Sequence, residues 1–167
     1  MYASLRNHSL ISCTLLIVQG LENEIELADR RLPSMPLVLE YAANGKASRY
    51  NLRRLTEQSY HLVMAERFDD FYSMIAFNYE FLLAKVCGAS YADLLEDLLF
   101  LWSVHENRRK DPEFQLLVNA IRVSALSLRQ NPLSLPIDLI GRLQTFAKAP
   151  ENTRLASLVK ECQKVSL

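Results

Sequence analysis

Across residues 51–165, helix-length amphipathic patterns follow one another with almost nothing between them, and most open on a capping residue or a proline. Asn51 stands as an N-cap before LRRLTEQSYHLVMAE, where Leu52, Leu55, Leu62 and Val63 recur as one inner face. Residues 70–86 carry Phe71, Ile75, Tyr79, Leu82, Leu83 and Val86, and Gly88 marks the end of that helix. Ser90 with Asp93 resembles a capping box before YADLLEDLLFLWSVHENRR. Leu94, Leu95, Leu98, Leu101 and Trp102 line its apolar face, and acids early with bases late match the helix dipole. Asp111-Pro112 and Asn131-Pro132 each place proline at a first helical position. Phe114, Leu117, Val118, Ile121, Ala125 and Leu128 follow the first, and Ile137, Ile140, Leu143 and Phe146 follow the second. A last helix over 151–165 packs through Leu155, Leu158 and Val159. Lengths of roughly 12–20 residues with short connections point to paired antiparallel helices rather than one long coil. The expected fold is mainly α: helical hairpins in a bundle-like or short superhelical array. No fixed repeat period runs through it.

The expected organisation is an N-terminal extension or winged-helix remnant over 1–30, a linker over 31–50 and a helical connector domain over 51–165. The first part holds an apolar run, SLISCTLLIVQG, too short to span a bilayer and without a good cleavage site. A cytoplasmic location is therefore expected, with secretion as the alternative; the glycosylation sequon at Asn7 matters only in that second case. LENEIELADR at 21–30 reads as a short helix, which Pro33 and Pro36 interrupt. PLVLEYAANGKASRY then gives a β-prone run and a turn at Asn44 and Gly45. Cys13, Cys87 and Cys162 stand far apart, which is neither a disulfide framework nor a zinc-ligand rhythm, and they read as free thiols in a reducing compartment.

Half of the residues are apolar and 23% are charged, which excludes global disorder. With 19 basic and 19 acidic residues there is no net field to attract nucleic acid. The charge is nevertheless segregated: residues 66–97 hold seven acids and two bases, and residues 98–167 hold six acids and ten bases. The basic strings RYNLRRL and ENRRKDPE, with Arg53, Arg54, Arg108, Arg109 and Lys110, are interleaved with apolar and acidic positions, so no nucleic-acid partner is expected. His8, His61 and His105 are too scattered for a metal centre, and Glu80, Glu96 and Asp97 read as solvated helix surface. Cys87 beside Lys85 lacks the partner that reactive thiol chemistry needs. NGKAS at 44–48 is not a phosphate-binding loop: Glu40 stands where the first glycine is required, and Ala47 where Ser or Thr must reach magnesium. No catalytic, cofactor-binding or metal-ligating residues are expected, and no enzyme. Phe68, Phe71, Tyr72, Phe77, Tyr79, Phe81 and Trp102 read instead as packing surface.

Three strings are more specific. LADRRLPSMPLVL, RYNLRRLTEQSYHLVMAERFDDFYSMIAFNYEFLLAKVCGASYADLLEDL and LVNAIRVSALSLRQNPLSLPIDLIGRL resemble the helical region of NACHT or NB-ARC signal-transduction NTPases that carry WD repeats. The resemblance covers about residues 27–165. Tyr50, Asn51, Leu52, Arg54 and Leu55 match the entry to the first helical hairpin, and Tyr60, His61 and Leu62 match its end. Phe77, Asn78, Tyr79, Leu82, Ala84 and Lys85 match the next helix. Leu126, Leu128, Asn131, Pro132, Leu135, Ile140, Gly141 and Leu143 match a helix-break-helix segment. In that family these are packing positions. With Trp102 and Ile121 from the apolar faces, the expected framework is Tyr50, Asn51, Leu55, Tyr60, Phe77, Tyr79, Leu82, Trp102, Ile121, Pro132 and Leu143.

The resemblance implies a noncatalytic connector or scaffold that orients a nucleotide-switch module and a WD-repeat sensor within a larger protein. It implies no cofactor and no membrane. Its partners would be neighbouring domains or another protein, with self-association through a face those domains normally cover. Neither neighbouring module is present, so the chain is expected to be an incomplete, diverged or alternatively ended member. The alternatives are a stand-alone helical protein-interaction adaptor and, behind it, an enzyme of unidentified class.

Overall fold

The computed structural model describes residues 35–166; the expectations for residues 1–30 lie outside the described residues. Strands β1 (Val38–Tyr41) and β2 (Ala47–Tyr50) form an antiparallel hairpin that pairs Val38 with Tyr50 and Tyr41 with Ala47. Most of the expected linker is therefore structured. Its turn closes through Gly45 N–H to Ala42 C=O at 2.8 Å, and Gly45 takes φ of +76°, a region that favours glycine. An isolated two-stranded hairpin is marginal, and this one is tied down at its base. Asn51 N–H donates to Leu37 C=O at 2.9 Å, and the Asn51 amide to Pro36 C=O at 3.2 Å.

Eight helices follow: α1 (Leu52–Met64), α2 (Phe68–Phe71), α3 (Tyr79–Gly88), α4 (Tyr91–Val104), α5 (Pro112–Val123), α6 (Ala125–Gln130), α7 (Leu135–Leu143) and α8 (Thr153–Val165). The mainly α architecture is the one the apolar periodicity specifies. α1 packs on α4, α3 on α4, α5 on α7 and α7 on α8. Together they enclose one core that contains Leu55, Phe71, Phe81, Leu98, Phe114, Ile121, Leu139 and Leu158. Phe114 is its aromatic centre, edge-on to Phe71, Tyr72 and Trp102 with ring centroids 5.5–6.1 Å away.

Several starts are set by local chemistry. Asn51, Asn78, Ser90 and Asp111 each accept a hydrogen bond from the backbone N–H three residues on, at 3.0–3.2 Å. Ser90 also donates to the Asp93 carboxylate at 2.6 Å, so this capping pair closes side chain to side chain.

The structure corrects the sequence reading at four places. The helix expected over 70–86 is divided: α2 runs into a π turn (Tyr72–Ala76), and Asn78 caps a new helix. The single pattern over Phe114–Leu128 is broken at Ser124, whose hydroxyl donates to Ala120 C=O and accepts from Arg142 Nε at 2.8 Å. Leu52, Ile137 and Phe146 are exposed, not core. Leu52 opens α1 a turn before its buried stripe begins, and Ile137 lies off the stripe of Leu135, Leu139 and Leu143. Tyr60, expected in the framework, is 51% exposed because it falls outside the stripe of Leu55, Ser59, Leu62 and Val63. Of the remaining framework residues, Asn51, Leu55, Phe77, Tyr79, Leu82, Ile121 and Leu143 are buried, and Tyr50, Trp102 and Pro132 are half-buried.

Candidate functional site

Two polar clusters and one apolar groove carry the chemistry outside simple packing. The first cluster joins three helices. Lys85 of α3 is almost wholly buried; its ammonium donates to Leu55 C=O of α1 at 2.7 Å and pairs with Asp97 of α4 at 2.7 Å. Ser59 of α1 donates to the same carboxylate at 2.7 Å. Burial pushes the Asp97 carboxyl above its usual value, while Lys85 and Ser59 pull it part of the way back. Asp97 is therefore an interior ion-pair partner, not the solvated surface residue that its sequence context indicated.

The second cluster is built around Arg154, near the start of α8. Its Nη2 donates to both oxygens of Asp111 at 2.8 and 2.9 Å, and its Nε to Glu113 at 2.9 Å. Both carboxylates belong to the opening of α5, where Asp111 is also the N-cap. The other Glu113 oxygen accepts Leu155 N–H at 2.9 Å. The guanidinium carbon lies 4.7 and 4.8 Å from the ring centroids of Tyr72 and Phe77, on either end of the π turn. Burial acts to lower the Arg154 pKa, but the bonds to Glu113 and Asp111 outweigh it and hold the group above its ordinary value. Burial, and then the neighbouring Asp111 charge, raise the Tyr72 phenol, whose hydroxyl is enclosed without a hydrogen-bond partner.

Beside Arg154 opens a cleft of about 520 Å³, lined also by Asp69, Ser73, Phe77, Ser157 and Glu161. Two carboxylates already neutralise the arginine, and Asp69 and Glu161 add negative charge, so the cleft does not favour anions. Its serines have no histidine beside them to act as a base: His61 stacks edge-on to Tyr60, and His105 lies edge-on to Phe68. His105 Nε2 lies 3.3 Å from Val63 C=O at the end of α1.

The groove runs along the outer face of α4. Ala92, Leu95, Glu96, Leu99, Phe100 and Ser103 form one wall, Arg129 of α6 stands on the other, and the space between is about 410 Å³. These α4 positions recur at helical spacing, so the helix bears a second apolar stripe beside the buried one of Tyr91, Leu94, Leu98 and Leu101. Tyr60 of α1 stacks on Phe100 with centroids 5.6 Å apart. Arg129 sits over the Tyr91 ring at 5.4 Å.

Compared with family models, curated proteins and solved structures, the chain matches none.

Arginines singled out in the sequence are engaged locally: Arg53 pairs with Glu57 at 3.0 Å, Arg108 lies 4.1 Å over Phe68, and Arg109 donates to Trp102 C=O at 3.1 Å. Among the described residues no three His, Cys, Asp or Glu side chains gather as a metal site, and no helix is long and apolar enough to cross a membrane. The sequence reading missed the role of Lys85, although a signal was there: it stands four and three positions after Phe81 and Leu82, on their buried face. Arg154 offered no such signal; nothing local separates it from other surface arginines.

Proposed function

We propose that the helical unit is a noncatalytic connector or scaffold, a rigid spacer of the kind its resemblance to NACHT or NB-ARC proteins with WD repeats implies. The observation that carries this reading is the Arg154 cluster. One guanidinium ties the start of α8 to the start of α5 and to both ends of the π turn. The Lys85–Asp97–Ser59 cluster does the same for α1, α3 and α4. Helices linked in this way move as one body, so an orientation imposed at one end is carried to the other.

Rigidity is measurable on the chain itself. Spin labels at Thr56→Cys on α1 and Lys160→Cys on α8, with Cys13 and Cys87 replaced by Ser, report the spread of distances between the two helices by double electron–electron resonance. A single narrow distribution that broadens in Arg154→Ala supports the connector. A broad distribution in the otherwise unaltered chain counts against it. A second reading, a stand-alone adaptor, is favoured by the apolar groove on α4, which offers an anchoring surface.

A further inference from the structure

We infer that the groove along α4 is a homotypic contact, in which a second copy of this chain packs its own α4 face against the first about a two-fold axis. The inference does not rest on the connector reading.

A two-fold interface sets one patch against itself, so the patch must be complementary to its own copy. It needs an apolar strip near the axis and charges of both signs to either side. Leu95, Leu99 and Phe100 supply the strip, and the Tyr60 ring stacked on Phe100 extends it. An exposed aromatic beside half-buried leucines is the composition of an interface centre, not of ordinary helix surface. Glu96 on one wall and Arg129 on the other supply the two charges. Among the described residues neither enters an ion pair: Arg129 overlies Tyr91, whereas Glu57, Asp97 and Asp138 are paired with Arg53, Lys85 and Arg142, and Asp93 is held by Ser90. A two-fold axis running along the groove sets Glu96 of each copy against Arg129 of the other, and the pairing occurs twice. A partner carrying a strongly acidic or strongly basic face would meet a like charge on one wall. The chain's own copy meets opposite charge on both.

The test is the oligomeric state of the full chain and of three variants at exposed or half-exposed positions: Glu96→Arg, Arg129→Glu and Leu99→Asp. Sedimentation velocity over roughly 1–200 µM is expected to show the wild-type chain reaching twice the monomer mass. Each single variant is expected to weaken that association at least roughly tenfold while retaining the wild-type circular dichroism spectrum and melting curve. The decisive arm mixes Glu96→Arg with Arg129→Glu. In the mixed pair, arginine at position 96 faces glutamate at 129, and arginine at 129 faces glutamate at 96. A heterodimer is therefore expected from two chains that do not self-associate, visible by native mass spectrometry. A chain that stays monomeric throughout the range overturns the proposal. A dimer indifferent to all three substitutions, or single variants whose mixture stays monomeric, overturns it equally, because the contact then lies elsewhere or in another register. Lys160→Glu, exposed on α8, is the control and is expected to change nothing.

Discussion

Gly88 is the position at which two rules of stability oppose each other, and Gly88→Ala measures which prevails. It is the last residue of α3, and the residue after it caps the helix. Propensity by itself favours alanine there by about 1 kcal/mol. The surroundings oppose it. A Cβ on Gly88 would lie 2.6 Å from Cγ and 2.7 Å from Cβ of Tyr50, and 3.0 Å from a Leu55 methyl. The methyl is the free end of a side chain and yields readily. Tyr50 does not, because it ends β2, pairs with Val38 across the hairpin and precedes the N-cap Asn51. Overpacking against a fixed neighbour costs about 1–3 kcal/mol and propensity returns about 1 of it, so a net loss of up to ~2 kcal/mol is expected. For a chain of this size that lowers the melting temperature by up to ~8 °C. Urea unfolding followed by circular dichroism reads it directly. The mechanism is isolated by a double-mutant cycle: in a Tyr50→Ala background the obstacle is gone, and Gly88→Ala should be neutral or stabilising. A stabilised Gly88→Ala single variant, or additive single effects, would refute the close-approach argument and leave Gly88 as an ordinary helix end.

Lys85→Met leaves the Asp97 carboxylate buried without its cation and is expected to cost ~3–5 kcal/mol in chemical denaturation; Lys85→Met with Asp97→Leu should recover most of it, and additive losses would show that the two groups do not interact. Ile121→Asp places a carboxylate at a fully buried position of α5 and should destabilise by roughly 3–5 kcal/mol, whereas unchanged thermal unfolding would place Ile121 outside the core. Burial pushes the Cys162 thiol from 9.0 up to about 12, and burial first and then Cys87 raise the Tyr50 phenol from 10.0 to about 12. Both folded values lie above the unfolded ones, so the stability they contribute is complete below about pH 9 and is lost as pH rises through 12. The Cys162 shift alone corresponds to up to ~4 kcal/mol. Urea midpoints measured from pH 8 upward should fall accordingly, and a flat profile would contradict it. At neutral pH, iodoacetamide followed by peptide mass spectrometry should find Cys162 protected until the chain unfolds.

Helix starts were legible in the sequence because a cap is a contact between a residue and the backbone three positions on; Asn51, Ser90 and Asp111 announce themselves within a single turn. Apolar periodicity identified the helices for the same local reason, and it located the buried faces of α1 and α5 through Leu55, Leu62, Phe114 and Ile121. It failed where the period continued through a break. Phe71, Ile75 and Tyr79 keep a four-residue spacing across the π turn, so only the Asn78 cap marks the division between α2 and α3. Exposure at Tyr60 and Ile137 was decided by which neighbours each helix meets, since a residue just off the stripe has the same composition on either side of it. The pairings within the polar clusters were beyond local reading. Asp111 and Arg154 are 43 positions apart, and Ser59 and Asp97 are 38. A carboxylate bound for an ion pair in the interior is the same residue type as one left in water. Only the packing of α5 against α8, and of α1 against α3 and α4, removes the water that would otherwise solvate these charges and leaves each with the partner the chain folds beside it.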